Sequence, residues 1–190
     1  ADYIIDFVAT GVDDTPHGPK KRITCFLVDR GHPGFEVLPG YNSVSHAGYD
    51  NVILKFEECR LADGQVLGEV DGGFEVMNTW LYATRITVAT MCVGRARRAF
   101  DYALNYAVER KQFGKQIGKF QGVSFKLADM ITEIDAADWL TLSAAWRLDQ
   151  GLPANREIAS AKLYASEMLA RVTDETIQVY GGMGLMDDLP

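Results

Sequence analysis

Apolar residues follow two different spacings along the chain, and the spacing changes near the glycine pair Gly72-Gly73. Before this pair, four short runs rich in β-branched and aromatic residues predict β-strands: Tyr3 to Val8, Arg22 to Val28, Gly34 to Leu38 and Val52 to Phe56. The segment Gly11 to Pro19, between the first two runs, has the composition of a turn. Runs spaced this closely predict an antiparallel meander with too few strands to close a barrel.

After the glycine pair, apolar residues recur at the spacing of long helices. Three helices are predicted, from about Phe74 to Gln112, from about Gln121 to Asp149 and from about Asn155 to Tyr180. The apolar residues that show this spacing are Val76, Trp80, Ile86, Val93, Phe100 and Leu104 in the first helix, Val123, Leu127, Ile131, Ile134 and Leu142 in the second, and Ile158, Ala161, Ala165, Met168, Val172 and Val179 on one side of the third.

Three antiparallel helices with an alanine-rich face leave apolar surface uncovered. We therefore infer a fourth helix, either beyond Pro190 or from a partner chain. The expected fold class is α+β, with a partial antiparallel β domain over residues 1–71 followed by an incomplete up-down helical bundle over residues 72–190.

Composition excludes some classes of function. Hydrophobic residues make up 47% of the 190 residues and charged residues 24%, so the chain can build a core. The formal net charge of −7 argues against a nucleic-acid partner, because phosphate neutralisation needs a basic face. Three scattered cysteines match no metal spacing and favour a reducing compartment. The sequence shows no membrane span, no signal peptide and no initial Met, so we expect a fragment of a protein that is not secreted.

Two segments carry candidate chemistry. The first is Glu109 to Lys115 (Glu-Arg-Lys-Gln-Phe-Gly-Lys) followed by Gln121, where planar cation donors beside a ring suit a phosphate-bearing planar ligand. The second is Gln178 to Gly184, whose adjacent glycines permit close backbone approach to a ligand. Simpler interpretations exist: Arg110 as a surface cation at a helix end, Phe113 as a core residue, and the glycines as a helix cap.

The two segments, about seventy residues apart, together with Val66-Leu67-Gly68-Glu69 before Gly72-Gly73, resemble the signature of the acyl-CoA dehydrogenase family. The resemblance covers nearly the whole chain. It implies the later part of that family's middle β domain and most of its C-terminal helical domain. It also implies a flavoprotein oxidoreductase of fatty acid metabolism, in which a glutamate removes the α proton of an acyl-CoA thioester while the β hydride passes to N5 of FAD.

The resemblance implies roles for particular residues. The cofactor-binding residues would be Arg110, Gln112, Phe113, Gln121, Gln178, Gly181 and Gly182, which would meet the FAD of a neighbouring subunit. Arg110 would contact the diphosphate or the ribose region of FAD, and its two-pronged guanidinium suits a diphosphate. On the first helix, Tyr82 and Arg85 would lie near the substrate.

The catalytic base is expected outside this chain, which alone would then be inactive. In some branches of the family the glutamate directly precedes the arginine of the first helix, where this chain has Thr84. In most branches it follows the third helix, which would place it beyond Pro190. His46 lies in a loop that departs from the family pattern, and no metal site is predicted.

The resemblance further implies an acyl-CoA substrate, a homodimer or homotetramer, and an electron-transfer flavoprotein or similar acceptor. The compartment would be a bacterial cytoplasm or a mitochondrial matrix. Three alternatives stay open. They are a flavin-dependent oxidase or monooxygenase of the same fold, a non-catalytic acyl-CoA-binding or scaffold member, and an unrelated helical oligomerisation domain.

Overall fold

The computed structural model of the chain describes residues 2–44, 48 and 50–188. It forms two compact units, Ala1–Trp80 and Leu81–Pro190. Strands make up most of the first unit and helices most of the second, so the α+β fold class is confirmed. The units divide inside a helix, and the domain division expected after residue 71 remains a prediction.

The first unit contains a long hairpin in which β1 (Tyr3–Thr15) pairs antiparallel with β2 (Gly18–Asp29). Both strands are longer than the apolar runs that predicted them, and the turn between them is only two residues long. Most of the segment predicted as a turn continues the ladder instead. Its polar residues pair favourably across the strands, since Asp13 lies opposite Lys20.

A second hairpin pairs β3 (Phe35–Asn42) with β4 (Asp50–Phe56). In the described part of the chain β2 and β3 share no ladder, so the predicted single meander is wrong and two separate hairpins replace it. The cause lies between them, because Gly31 and Gly34 both have positive φ and redirect the chain after β2. A Cβ at Gly34 would lie 2.4 Å from the carbonyl oxygen of Glu57, so only glycine fits there.

The glycine pair of the sequence starts helix α1 (Gly73–Glu109) directly against β2. A Cβ at Gly73 would lie 2.8 Å from the carbonyl oxygen of Ile23, so glycine permits this contact. The carboxylate of Asp71 accepts a hydrogen bond from Nη1 of Arg22 at 2.9 Å and holds the chain just before the helix.

The second unit contains the rest of α1 and two further helices, α2 (Gln121–Asp149) and α3 (Asn155–Tyr180). The predicted bounds of α2 and α3 are confirmed. These two helices are antiparallel, because Lys126 near the start of α2 pairs with Glu175 near the end of α3.

In contrast, α1 and α3 run in the same direction. Oγ1 of Thr176 donates to the carbonyl oxygen of Ala99 at 3.3 Å, and the hydroxyl of Tyr180 donates to the carbonyl oxygen of Tyr102 at 3.2 Å. Since α2 is antiparallel to α3, the three helices have the predicted up-down order.

Small side chains dominate the interior of the helical unit, and half of its core residues are alanines. The apolar residues on the predicted side of α3 are all buried. In the other helices, Trp80, Leu104 and Leu142 share the helical spacing but are exposed. The buried stripe of α2 comprises Leu127, Met130, Ile134, Ala137, Thr141 and Ala144. Leu142 follows one residue after a member of this stripe and therefore points away from it.

Exposed apolar side chains lie on the opposite side of α2, in agreement with the prediction of uncovered apolar surface. Trp139, Leu142 and Trp146 recur at helical spacing, and Trp139 is 73% exposed. The fourth helix that would cover such a surface remains a prediction.

Several absences hold for the described residues alone. None of the helices seen there is both long and apolar enough to cross a membrane. In the same residues, no cluster of three or more His, Cys, Asp or Glu side chains could hold a metal ion. His46 and its loop neighbours Ser45, Ala47 and Tyr49 lie outside the described residues.

Candidate functional site

The first segment singled out in the sequence leaves the helix and forms a small β-hairpin. α1 ends at Glu109, three residues before its predicted end, and β5 (Lys111–Gln112) pairs antiparallel with β6 (Lys115–Gln116). The prediction that these residues continue the helix is therefore wrong. The turn at Phe113-Gly114 reverses the chain, and the ladder pairs the backbone groups that a longer helix would have used.

Phe113 has an unfavourable backbone conformation for an aromatic residue. φ is 51° at Phe113 and 79° at Gly114, the pair of positive angles that a two-residue hairpin turn requires. A residue with a Cβ loses roughly 1–2 kcal/mol in this region, so asparagine or glycine usually stands there. The ring gains no core burial in return, since Phe113 is 92% exposed, which excludes the core interpretation. An exposed ring held at a strained position is a candidate for contact with a ligand.

A hydrogen bond closes the base of the hairpin, and a close approach at Gly118 places it against the end of α1. The N–H of Ile117 donates to the carbonyl oxygen of Arg110 at 2.8 Å and closes the hairpin. Gly118 lies against α1, where a Cβ would be 3.0 Å from the carbonyl oxygen of Ala107. The hairpin therefore lies against the helix through its backbone.

Phe120 supports the tip of the hairpin and also begins α2. Its ring centroid lies 6.2 Å from that of Phe113, with the rings nearly perpendicular at 87°, and 4.2 Å from Nζ of Lys115. Its carbonyl oxygen accepts the N–H groups of Val123 and Ser124, each at 2.9 Å. The hairpin tip and the start of α2 are thus connected through one residue.

Residues 110–128 are basic within an acidic chain. This stretch contains no carboxylate side chain, and its cations are Arg110, Lys111, Lys115, Lys119 and Lys126. Lys126 pairs with Glu175, and the other four cations lie between the end of α1 and the start of α2. The start of α2, where Gln121 is the first residue, adds backbone N–H groups that lack intrahelical acceptors. The combination suits a phosphate group.

The second segment ends α3 and continues as a 3₁₀ helix, Gly181–Leu185. Gly181 has φ 61° and ψ −136°, which residues with a side chain avoid, and its N–H caps α3 by donating to the carbonyl oxygen of Ile177. A Cβ at Gly184 would lie 2.8 Å from that same oxygen, so Gly184 serves packing. A Cβ at Gly182 would meet no atom within 4 Å, so this backbone faces open space that a ligand could approach.

Tyr106 links the two segments at one end of the helical unit. Its carbonyl oxygen accepts the N–H of Arg110 at 2.8 Å, and its ring centroid lies 4.3 Å from that of Tyr180. Tyr180 is the last residue of α3 and is followed directly by the glycines. The segments that the sequence predicted to share a ligand therefore lie close together.

The residues predicted to bind the cofactor all lie on the surface of this chain: Arg110, Gln112, Phe113, Gln121, Gln178, Gly181 and Gly182.

Burial raises the pKa of the Tyr180 phenol above its ordinary value of 10.0, and the nearby Tyr102, Tyr106 and Glu109 raise it further. The phenol therefore keeps the proton that it donates to Tyr102. The exposed residues predicted to bind the cofactor offer different contacts to one ligand: the guanidinium of Arg110, the glutamine amides, the Phe113 ring and the open backbone at Gly182.

Tyr82 and Arg85 lie far from this surface. Both are half-buried on α1, and Tyr82 packs against the helical core. At ~1.5 Å per residue, Arg85 and Glu109 are about 36 Å apart along the helix axis. The predicted substrate residues and the predicted cofactor residues therefore lie far apart along α1. Thr84, beside Arg85, has no ionisable group.

Sequence reasoning missed the tyrosines and the glycine that organise this surface. Tyr102 and Tyr106 are four residues apart, a spacing that places both on one face of α1 and could have indicated a shared contact. Tyr180 meets them only through the tertiary fold, and no local pattern predicts that pairing. Gly118 permits the hairpin to lie against α1, and no local pattern predicts that contact.

A groove of about 460 Å³ opens beside the hairpin. Its walls come from the end of α1 and the start of α2, with Leu104, Val108 and Leu127 among the apolar side chains and Lys119 beside them. The volume and the apolar lining are typical of small-ligand pockets.

Several known proteins are similar to this chain. A family model described as "Acyl-CoA dehydrogenase, C-terminal domain" matches residues 71–190. Probable acyl-CoA dehydrogenase YngJ from Bacillus subtilis (strain 168) is 37% identical over 188 residues, which are 99% of this chain and 50% of that protein. Butyryl-CoA dehydrogenase from Megasphaera elsdenii is 36% identical with a TM-score of 0.89, over 100% of this chain and 49% of that one. A structure described as "FAD complex of PigA" is 27% identical with a TM-score of 0.89, over 99% of this chain and 48% of that one.

The chain spans about half the length of the curated relatives that it matches. The match nevertheless extends over nearly all of its own residues, and the family model alone covers more than half of them. The resemblance seen in the two segments is confirmed, and the chain belongs to the acyl-CoA dehydrogenase family.

Proposed function

We propose that the protein containing this chain catalyses the FAD-dependent α,β-desaturation of an acyl-CoA thioester. The proposal rests on one observation: the exposed ring of Phe113, held at positive φ, lies in the same basic hairpin as Arg110, at the end of the unit where the Gly182 backbone is open. The relatives named for acyl-CoA and butyryl-CoA dehydrogenation, and the similar structure described as an FAD complex, support it.

In this proposal the hairpin surface binds the diphosphate and adenosine part of FAD. The guanidinium of Arg110 offers a planar pair of donors to the diphosphate, and the start of α2 adds backbone N–H groups. Phe113 offers an apolar face, while the amides of Gln112 and Gln121 can both donate and accept. Gly182 permits close backbone approach. Bound FAD supplies the hydride acceptor, and these residues hold it in place.

We propose further that this surface serves the active site of a second copy of the chain. Arg85 lies about 36 Å along α1 from Glu109, the residue before Arg110, so each chain would contribute its substrate residues and its cofactor residues to different sites. A homodimer is the smallest assembly that satisfies this arrangement, and the family resemblance favours a homotetramer. An electron-transfer flavoprotein or a similar acceptor would reoxidise the flavin.

The proton chemistry needs a carboxylate that this chain does not supply at the expected place. Thr84 has no ionisable group, so we propose that the glutamate base lies beyond Pro190. Tyr82 and Arg85 would then orient the thioester and its surroundings. The acyl chain length and branching preferred by the enzyme would depend on residues outside the two segments.

The proposal is tested on the full-length protein. We expect it to purify yellow, with the absorbance of bound FAD, and to lose that absorbance when an acyl-CoA is added without oxygen. Colourless protein that gains no flavin on addition of FAD would contradict the cofactor assignment and favour a helical oligomerisation domain. Flavin that is bound but never reduced by any acyl-CoA would favour a non-catalytic member.

The reaction of the reduced flavin with oxygen distinguishes a dehydrogenase from the remaining alternative, a flavin-dependent oxidase or monooxygenase. After anaerobic reduction, a dehydrogenase reacts slowly with oxygen and quickly with an electron-transfer flavoprotein, whereas an oxidase or monooxygenase is reoxidised rapidly by oxygen. Stopped-flow measurement of flavin absorbance with each acceptor distinguishes the two.

A further inference from the structure

Three tyrosines meet where α1 and α3 end together. The Tyr180 ring packs on Tyr106 at 4.3 Å between centroids and 31° between planes, and its hydroxyl donates to the carbonyl oxygen of Tyr102 at 3.2 Å. The Tyr102 ring in turn lies 4.1 Å from the guanidinium carbon of Arg98. Tyr180 is therefore held by both a ring contact and a hydrogen bond from α1.

Tyr180 makes the last long side-chain contact of α3 before the chain becomes glycine-rich. A Cβ at Gly181 or Gly182 would meet no atom within 4 Å, and the N–H of Gly181 donates to the carbonyl oxygen of Ile177, so this backbone is tied to α3 itself. Gly184 contacts Ile177, which lies on α3 itself, and so does not tie the segment to α1. The position of this glycine backbone relative to the hairpin thus depends on how the end of α3 is held.

Tyr106, the residue of α1 that contacts Tyr180, is also bonded to the hairpin residue Arg110. The ring of Tyr106 packs on the ring of Tyr180. Its carbonyl oxygen accepts a hydrogen bond from the N–H of Arg110 at 2.8 Å. Arg110 then closes the hairpin through its own carbonyl oxygen, which accepts the N–H of Ile117. A short series of contacts therefore joins the glycine backbone to the guanidinium-bearing residue.

We propose that Tyr180 is a positioning residue for the cofactor surface. Through Tyr106 it fixes the Gln178–Gly182 backbone relative to Arg110, so that both segments meet one FAD molecule together. Its ring and hydroxyl are occupied by α1, so it acts without touching the cofactor. The inference rests on the proposed FAD site.

The test compares two tyrosines of α3 in the full-length protein. Tyr180→Leu removes the ring contact and the hydrogen bond, and we expect FAD binding weakened roughly tenfold or more, because misplacement of one segment loses its contacts. Tyr180→Phe keeps the ring, and we expect FAD affinity restored to within about threefold of wild type. Tyr164→Leu is the matched control, since Tyr164 is half-buried on the same helix and packs against the core.

Affinity is measured by titrating apoprotein with FAD and following flavin fluorescence, and melting temperature is recorded for every variant. We expect Tyr164→Leu to lower the melting temperature with FAD affinity unchanged. At saturating FAD, kcat of Tyr180→Leu should return to within about twofold of wild type, because no reacting group has changed. If Tyr180→Leu does not fold, Tyr106→Leu removes the same ring contact from α1 and keeps the backbone bond to Arg110.

The outcomes separate this inference from the proposed function. If wild type and Tyr180→Leu bind FAD equally well, the positioning role of Tyr180 is overturned and the proposed function stands. Equal loss of FAD affinity in Tyr180→Leu and Tyr164→Leu also overturns it, since general destabilisation would then be the cause. Wild-type protein that binds no FAD overturns the proposed function, and this inference with it.

Discussion

Gly118 lies so close to α1 that a Cβ at this position would be 3.0 Å from the carbonyl oxygen of Ala107. The neighbouring atom belongs to helix backbone, which cannot move as a side chain can. The hairpin that carries Arg110 and Phe113 can therefore lie this close to the helix only because residue 118 is a glycine. Its geometry is a property of packing in the chain, and this makes it testable by small substitutions.

Gly118→Ala should displace the hairpin and weaken FAD binding. Overpacking of this kind costs about 1–3 kcal/mol, part of which we expect to appear as a lower melting temperature. The matched control is Gly94→Ala on α1, where a Cβ meets nothing within 4 Å and where alanine should stabilise the helix by about 1 kcal/mol. Equal FAD affinity in Gly118→Ala and Gly94→Ala would show that the position of the hairpin on α1 does not affect FAD binding.

Phe113→Asn should raise stability and lower cofactor affinity at once. Asparagine tolerates positive φ in a two-residue turn, so relief of strain is worth roughly 1 kcal/mol or more. The exposed ring contributes no core packing that could be lost. Melting temperature and FAD titration of the same preparation measure both effects. A variant that is more stable and binds FAD as well as wild type would remove the binding function assigned to this ring.

Arg85→Ala should impair turnover and leave FAD in place. Arg85 lies about 36 Å along α1 from the hairpin, so its loss cannot disturb the cofactor contacts of its own chain directly. Removal of a charged hydrogen-bond donor from the substrate region typically costs about 1.5–3 kcal/mol, which corresponds to roughly 10–100-fold in kcat/KM. Arg95→Ala, an exposed arginine further along α1, is the control. Loss of FAD together with activity would contradict the separation of the two ends.

The raised pKa of Tyr180 predicts a loss of stability in alkaline solution. Because its pKa is higher in the folded state than the ordinary 10.0, the neutral phenol stabilises the fold fully below pH 10.0, and this contribution is lost as the pH rises through the folded-state pKa. Melting temperatures of wild type and Tyr180→Phe should therefore converge as the pH increases beyond 10.0. Parallel curves for the two proteins across that range would contradict the prediction.

The helices could be predicted from the sequence better than the hairpin, for physical reasons. Gly151 and Pro153 interrupt a helical spacing that is otherwise regular, so the bounds of α2 and α3 follow from local signals. β5 and β6 are two residues long each and have no apolar alternation, so nothing in their pattern indicated strands. The composition of the segment suggested a ligand, whereas its shape depends on the turn at Phe113-Gly114.

Contacts between distant residues were beyond local patterns. The ring pair of Tyr106 and Tyr180 joins residues that are far apart in sequence, and only the packing of α1 beside α3 brings them together. The length of β1 and β2 was underestimated for a related reason, since pairs such as Asp13 with Lys20 stabilise a ladder without apolar residues.

The central claim is that the hairpin surface binds FAD, and the most direct test is the FAD dissociation constant of Arg110 variants in the full-length protein. We predict that Arg110→Ala weakens binding roughly tenfold or more, and that Arg110→Lys is nearly as damaging, because lysine cannot form the two-pronged contact. Arg156→Ala, which removes an exposed arginine paired only with its neighbour Glu157 among the contacts described, should bind FAD as wild type does. Arg110→Ala with the wild-type dissociation constant for FAD would contradict the claim.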